Sequence, residues 1–368
     1  MPGATTWKAF SDHIWLKARR DCRPATATFE LTPLCNFRCR MCYVRLDESR
    51  VPEFGRLYSA DEWLSLASQA MKMGLYTVTL SGGEPLLHPE FEKIYVGLSR
   101  MGLLVSILSN GSLLTEKHIA LFRDYPPASV RFTLYGASNE TYERLCCAPK
   151  GFDRVMRSVQ MLIDEDIPLS FAFTETSENV GDFDAVMNIA RRFDRPIIVT
   201  SDLNCAVRGA SSEAEQLRVE LDERQLPNGN EVFAPTEIDE IVREAQAEGL
   251  LSGPFMHCRP YRTFFFVNWN GTMENCASMS YCRSLPFEWG FDAAWKDMQE
   301  KLSSLETPQA CGACPDAHFC TACPGKRNAE THSPDGIPER YCAEARRRHE
   351  KWKEDVGKNK EVTHEEVL

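Results

Sequence analysis

The chain has 368 residues, which suits one large α/β domain or several smaller units. Its formal net charge is −11, and so acidic a balance argues against nucleic acid as the main partner. No apolar run of about 18 residues occurs, and residues 1–17 lack the apolar core of a secretory signal. We therefore expect a cytoplasmic protein without a membrane span, in which the fifteen cysteines indicate metal binding rather than disulfides.

Short apolar runs alternate with helical patterns through residues 25–204. The predicted strands are Thr28–Leu31, Thr77–Ser81, Leu104–Leu108, Val130–Tyr135, Leu169–Phe173 and Ile197–Thr200. The predicted helices are Ala60–Met73, which a capping box at Ser59 opens, then Pro89–Met101, Thr115–Tyr125, Phe152–Asp164 and Asp182–Arg192. Six such units in series predict a parallel sheet with right-handed crossovers, a partial (β/α)6 TIM-like barrel of the α/β class.

The remainder of the chain has a different pattern. A capped helix is predicted over Thr236–Glu248, and a hairpin over Thr263–Asn268 and Thr272–Cys276 around the turn Asn270-Gly271. Residues 310–342 are rich in Cys, Pro and Gly and should fold around metal. The predicted domains are an N-terminal extension (1–24), the barrel (25–204), a linker with a helix (205–257), a small Cys-rich domain (258–345) and a charged tail (346–368).

A loop with three cysteines, Cys35-Asn-Phe-Arg-Cys39-Arg-Met-Cys42, follows the first predicted strand. Functional loops of parallel barrels lie at the carboxyl ends of strands. Three thiolates can hold three irons of a cubane cluster and leave the fourth iron open to a small molecule, with Phe37 and Tyr43 as apolar cover. The alternative is a zinc site with a distant fourth ligand.

Together with Ser81-Gly-Gly-Glu-Pro85 at the end of the second strand, this loop resembles the motifs of the radical S-adenosylmethionine (SAM) superfamily. The resemblance implies a [4Fe-4S] cluster on Cys35, Cys39 and Cys42, reductive cleavage of SAM, and a 5′-deoxyadenosyl radical that abstracts hydrogen from the substrate. It also implies an electron donor such as flavodoxin or ferredoxin. The implied SAM-binding residues are Gly82, Gly83, Glu84, Pro85, Ser109, Asn110, Thr133 and Arg144, with Arg208 a weaker candidate.

Some of these residues have ordinary structural alternatives. Glycines let a backbone approach a ligand, and Glu84 can pair with an ammonium group. Ser109 and Thr133 could equally be capping or turn hydroxyls, and Arg144 could form a surface salt bridge.

The C-terminal cysteines resemble the SPASM extension of this superfamily, which carries two auxiliary iron–sulfur clusters, here expected to be [4Fe-4S]. The resemblance implies an outer cluster on Cys311, Cys314, Cys320 and Cys342 and an inner cluster on Cys258, Cys276 and Cys323. The fourth inner ligand is Cys282, or the iron stays open to a substrate thiolate. Two zinc ions are the alternative. We interpret the other cysteines as buried small hydrophobic residues: Cys22, Cys146, Cys147 and Cys205.

Enzymes of this subgroup mostly modify peptides or proteins, so we predict hydrogen abstraction from a peptide substrate and a thioether or carbon–carbon crosslink in a ribosomally made peptide. Ala277 stands where sulfatase-maturing relatives carry Asp, which disfavours that activity. The alternatives are a dehydrogenase or decarboxylase of a small molecule or cofactor precursor, and a non-enzymatic electron-transfer protein. Only 34 residues precede Cys35, so leader binding would fall to a separate protein or to the barrel surface.

Overall fold

The computed structural model of the protein describes residues 7–203, 205–206, 208–219 and 262–365. The predicted helix over Thr236–Glu248 and the predicted cluster ligand Cys258 lie outside the described residues. Within the described ranges, no helix has the length and apolarity needed to cross a bilayer.

Eight strands form one sheet in the order β6-β5-β4-β3-β2-β1-β7-β8. They are β1 (Thr26–Glu30), β2 (Thr77–Ser81), β3 (Leu104–Ser109), β4 (Ser129–Leu134), β5 (Leu169–Thr174), β6 (Ile197–Thr200), β7 (Phe264–Val267) and β8 (Met273–Glu274). All neighbouring pairs from β6 to β7 are parallel, whereas β7 and β8 form an antiparallel hairpin. The predicted parallel sheet of six β/α units is therefore confirmed, and its strand bounds agree within about two residues.

Thirteen helices lie in the described residues, apart from short 3-10 turns. The barrel helices are α1 (Trp7–Arg20), α2 (Val51–Phe54), α3 (Ala60–Met73), α4 (Phe91–Arg100), α5 (Glu116–Asp124), α6 (Asn139–Cys146), α7 (Gly151–Asp164) and α8 (Phe183–Arg192). The C-terminal helices are α9 (Pro286–Trp289), α10 (Phe291–Ser303), α11 (Gln309–Gly312), α12 (Pro324–Thr331) and α13 (Glu339–Glu365). All five predicted barrel helices are confirmed, and the capping box at Ser59 opens α3.

The two faces of the sheet differ in polarity. Side chains alternate along each strand, and one set packs with the helices in the main core, including Phe29, Leu80, Ile107, Phe132 and Phe171. The opposite set is mostly polar and half-buried, including Thr28, Thr79, Ser106, Arg131 and Thr133. This polar face is the inner face of the partial barrel and can receive a ligand.

The hairpin of β7 and β8 extends the barrel sheet instead of standing in a separate layer. β7 pairs in parallel with β1, and Phe266 lies opposite Thr28. On the helix side, Phe265 packs against Phe29, Phe291 and Trp295 with ring centroids 4.8–6.2 Å apart. The Cys-rich segment is therefore joined to the barrel through the strand next to β1.

Candidate active site

The three-cysteine loop leaves the carboxyl end of β1 and is fastened to α6. The backbone amide of Arg38 donates to the carbonyl of Cys146 over 2.9 Å, and that of Arg40 donates to the carbonyl of Leu145 over 2.9 Å. The Arg40 side chain pairs with Glu178 and Glu213 at 2.8 and 2.6 Å. These contacts hold the loop over the end of the sheet, as the position of the motif after a strand predicts.

The turn Gly82-Gly83-Glu84 packs directly on this loop. Gly83 N donates to Thr32 O over 2.7 Å, and Glu84 N donates to Leu34 O over 2.8 Å. A Cβ at Gly82 would lie 2.6 Å from Thr32 O, and one at Gly83 would lie 2.5 Å from Leu34 O. Glycine is therefore required at both positions because the turn packs closely against the chain that leads into the three-cysteine loop. The sequence alone instead predicts that these glycines allow the close approach of a ligand.

Glu84 is completely buried, and its carboxylate is held by three donors. Ser109 Oγ lies 2.9 and 3.0 Å from the two oxygens, Asn110 N donates over 2.8 Å and Leu86 N over 3.2 Å. Burial raises the pKa of Glu84 to about 7, although the hydrogen bonds from Asn110, Ser109 and Leu86 act to lower it. A carboxyl with such a pKa changes charge near neutral pH, which suits a switchable partner for an amino group.

Asn110 connects the end of β3 with the three-cysteine loop. Its Nδ2 donates to Asn36 Oδ1 over 2.9 Å and approaches Cys35 Sγ at 3.6 Å. Ser109 and Asn110 thus position Glu84 and Cys35. Their predicted contact with SAM remains a prediction.

The loop thiols are partly accessible and set among buried apolar side chains, including Phe37 and Met41. Burial raises the pKa of Cys42 to about 11 and also raises that of Cys35. The pKa of Cys39 is raised first by a hydrogen bond with Cys146 and then by burial. The raised pKa values mean that the thiolate forms are disfavoured here unless a cation is present, and bound iron would supply that positive charge. A set of donors made only of thiols also fits an iron–sulfur cluster.

Within the described residues, no three His, Cys, Asp or Glu side chains converge on one point that could hold a single metal ion. A zinc site requires such convergence on one ion. A cubane instead places each thiolate on a different iron.

The other predicted SAM contacts have different surroundings. Thr133 lies on the half-buried polar face of β4. Arg144, on α6, pairs with Glu178 at 2.8 Å, which is the salt bridge left open as an alternative. Arg208 is buried against Glu30 at 2.9 Å.

Two of the predicted inner-cluster cysteines meet at Gly325, at the start of α12. A Cβ at Gly325 would lie 2.9 Å from Cys276 Sγ and 3.8 Å from Cys323 Sγ. Cys276 follows β8, and Cys323 caps α12. The fold therefore brings together two thiols that are 47 positions apart in the sequence, and any side chain at Gly325 would crowd them.

The predicted outer-cluster cysteines also form a group. Burial raises the pKa of Cys342, and nearby Cys320 and Cys311 add to that rise. Cys314 N donates to the carbonyl of Cys311 over 3.3 Å. Arg327 is buried and donates from Nη1 to Cys311 Sγ over 3.3 Å, a contact that the sequence did not single out. In the sequence, the one local indication of this contact is that Arg327 follows Cys323 by four residues.

The remaining cysteines differ from one another. Cys282 is completely buried in the main core, and its role as a ligand remains a prediction. Cys146 is buried as predicted, but it lies against Cys39. Cys147 is exposed, so its interpretation as a buried residue is wrong: it ends α6 in the left-handed region, at φ 49°. Cys22 and Cys205 are half-buried.

A partial parallel barrel with three thiols in a loop after β1 and a buried carboxyl after β2 suits an enzyme that holds an iron–sulfur cluster on thiolates. The Radical SAM superfamily profile matches residues 29–190 of this chain. The chain thus contains a Radical SAM domain over residues 29–190, and that family implies SAM and a [4Fe-4S] cluster as cofactors.

Relatives with different activities resemble the chain. The AdoMet-dependent heme synthase of Methanosarcina barkeri is 24% identical over 84% of this chain and 93% of its own length. The sporulation killing factor maturation protein SkfB of Bacillus subtilis is 26% identical over 45% of this chain and 39% of its own. The crystal structure of Streptococcus suis SuiB bound to S-adenosylmethionine has a TM-score of 0.63 at 14% identity, over 90% of this chain and 80% of SuiB. At that identity, SuiB shows a shared fold only.

Proposed function

We propose that the protein abstracts hydrogen from a peptide and forms a thioether or carbon–carbon crosslink in it, with two auxiliary iron–sulfur clusters in its C-terminal region. The observation that carries this proposal is the convergence of Cys276 and Cys323 at Gly325, directly after a hairpin that extends the barrel sheet. SkfB supports it as a maturation protein, and SuiB has been crystallised with its precursor peptide SuiA.

The residues would have distinct tasks. Cys35, Cys39 and Cys42 would hold the cluster at which SAM supplies a 5′-deoxyadenosyl radical. Glu84, held by Ser109 and Asn110, would accept hydrogen bonds from the SAM amino group. The polar inner face of the sheet would hold the peptide segment that is modified.

The proposal includes partners. A flavodoxin- or ferredoxin-type protein in the cytoplasm would deliver electrons. The C-terminal cysteines would hold the auxiliary clusters, which would supply an acceptor for the electron that bond formation releases. A separate protein or the barrel surface would bind a leader sequence.

The test is anaerobic incubation of the reconstituted enzyme with SAM, a reductant and each short peptide encoded beside its gene. We expect 5′-deoxyadenosine, and a crosslinked peptide lighter by two hydrogens in mass spectrometry. Peptides with Cys replaced by Ser separate a thioether from a carbon–carbon bond. Cleavage of SAM with no change in any peptide would argue against this substrate class.

A second candidate is decarboxylation or dehydrogenation of a cofactor precursor. The heme synthase relative favours it, because this chain spans 93% of that protein, whereas it spans 39% of SkfB. The matching test replaces the peptide by Fe-coproporphyrin III, the compound in the name of another relative, the Fe-coproporphyrin III synthase of Methanosarcina barkeri. Loss of carbon dioxide from that porphyrin would support the second candidate, and an unchanged porphyrin would remove it.

A further inference from the structure

Two glutamates and an arginine form a buried cluster beside the three-cysteine loop. The side chains of Glu30, Glu274 and Arg208 are only 1–2% exposed. Arg208 Nη2 lies 2.9 Å from Glu30 Oε2, and Arg208 Nη1 lies 4.0 Å from Glu274 Oε2. Arg283, which is half-exposed, pairs with the other Glu274 oxygen at 2.8 Å. Fully buried charges of this kind are costly, so a cluster of them calls for a reason.

Strand register places both glutamates on the inner face of the barrel. Phe266 pairs with Thr28 of β1 on one side and with Glu274 of β8 on the other, so these three side chains share a face. Glu30 follows Thr28 by two positions and lies on that same face. Glu30 is also the last residue of β1, at the edge of the sheet where the three-cysteine loop begins.

The ends of two strands show where the cluster lies relative to the predicted metal ligands. Glu30 is the last residue of β1, which the three-cysteine loop follows, and Glu274 is the last residue of β8, two positions before Cys276. The acidic cluster therefore lies between the SAM loop and a cysteine of the predicted inner auxiliary cluster.

Each glutamate keeps one buried oxygen without a hydrogen-bond donor among the described residues. These are Glu30 Oε1 and Glu274 Oε2, the latter 4.0 Å from Arg208 Nη1, whereas the Trp269 backbone and the Asn268 side chain are further hydrogen-bond partners of the two carboxylates. A buried acceptor without a donor loses its solvation and gains nothing in return. Both oxygens are thus suited to donors that arrive with a ligand.

We propose that Glu30 and Glu274, held by Arg208, form a substrate subsite that accepts hydrogen bonds from N–H donors, foremost a cationic side chain of a peptide. This inference rests on the proposed peptide substrate and adds its chemistry: the segment beside the cysteine loop carries an ammonium or guanidinium group. Arg208 and Arg283 balance the charges of the two glutamates, so the discrimination is one of hydrogen bonding: a carboxylate at this point would set acceptors against acceptors. The subsite therefore selects against substrates that present carboxylates here, among them carboxylated porphyrins.

Peptide binding to the holoenzyme with SAM tests this subsite. The probes are heptapeptide amides of glycine with a central Arg, Lys, Leu or Glu, titrated anaerobically without reductant. A charge-assisted hydrogen bond at a buried site changes affinity by about tenfold or more, so we expect Arg and Lys peptides to bind at least about tenfold more tightly than the Glu peptide. Glu274→Gln and Glu30→Gln should each reduce this ratio by about tenfold.

A matched control variant and a fallback variant accompany the two substitutions in the acidic cluster. Glu344→Gln removes a buried, ion-paired glutamate on α13 and should leave the ratio unchanged. If Glu30→Gln fails to fold because Arg208 loses its partner, Glu30→Gln with Arg208→Gln replaces it, and Glu274→Gln stands independently. Equal binding of all four peptides, no binding of any, or a ratio that neither variant alters would overturn the subsite. Crosslinking of a genomic peptide is measured separately, so it can succeed where this subsite fails.

Discussion

The hydroxyl of Ser109, at the end of β3, lies 2.9 Å from the carboxylate of Glu84, which follows β2. The two side chains are buried at the carboxyl edge of the sheet, and the backbone amide of Asn110 adds a second donor to the same carboxylate. Three consecutive strands thereby share one hydrogen-bonded unit, since Asn110 also reaches Cys35 after β1. These hydrogen bonds therefore position the predicted cluster loop together with Glu84, the side chain predicted to bind the amino group of SAM.

Ser109→Ala should weaken SAM binding without removing Glu84. The carboxylate would lose one donor in a buried site, an effect of about 1–3 kcal/mol for an unsatisfied charged group. Anaerobic titration calorimetry with SAM measures it. Ser99→Ala is the matched control, because that hydroxyl donates to the carbonyl of Tyr95 within α4, away from Glu84. Equal SAM affinities in the two variants would contradict a positioning role for Ser109.

The affinity for SAM should depend on pH through Glu84. Its pKa in the folded chain, about 7, lies above the ordinary value of 4.5, because burial disfavours the ionised form. The folded state without SAM is therefore favoured by protonated Glu84 at low pH and loses that advantage as the pH rises from about 4.5 to about 7. The N–H donors of SAM bind the ionised form of Glu84. The affinity for SAM should therefore increase as the pH rises through about 7.

Glu84→Gln isolates this dependence from the titration of SAM itself. The ratio of wild-type to variant affinity should rise as the pH passes from about 6 to about 8, and then level off. A ratio independent of pH would mean that Glu84 does not titrate in this range or does not bind SAM.

Gly325→Ala should disturb the inner auxiliary cluster selectively. The added methyl group would lie 2.9 Å from Cys276 Sγ, closer than such contacts allow, so the thiol must move. Electron paramagnetic resonance of the reduced protein should lose or shift one auxiliary signal while the SAM-sensitive signal remains. Gly181→Ala is the control, since a Cβ there meets no atom within 4 Å and no predicted cluster ligand is adjacent to it in the sequence. Identical spectra for the two variants would argue against a cluster ligand at Cys276.

Sequence reasoning predicted the barrel well because its signals are local. Buried parallel strands such as Thr77–Ser81 form apolar runs, and the cysteine and glycine motifs follow such runs directly. The same signals do not predict the helix α6, because Asn139–Cys146 begins with a polar stretch and its start signal is the serine cap at Ser138.

Long-range pairings could not be read from these patterns. The turn Asn270-Gly271 predicts the hairpin β7–β8, but nothing local indicates that β7 pairs with β1, which precedes it by more than 200 residues. The cluster of Glu30, Arg208 and Glu274 depends on that pairing, so a single glutamate at the end of an apolar strand carried no signal of its own. Similarly, the contact of Gly325 with two cysteines appears only in three dimensions.

The central claim is that Cys35, Cys39 and Cys42 hold the cluster that cleaves SAM, separately from the clusters of the C-terminal region. The most direct measurement is iron content together with 5′-deoxyadenosine formation, in the wild type and in the variant with all three cysteines replaced by Ala. Three cubanes give about 12 iron atoms per wild-type chain. We predict about 8 in the variant and no 5′-deoxyadenosine. Undiminished 5′-deoxyadenosine from the variant, or zinc in place of iron in the wild type, would contradict the account.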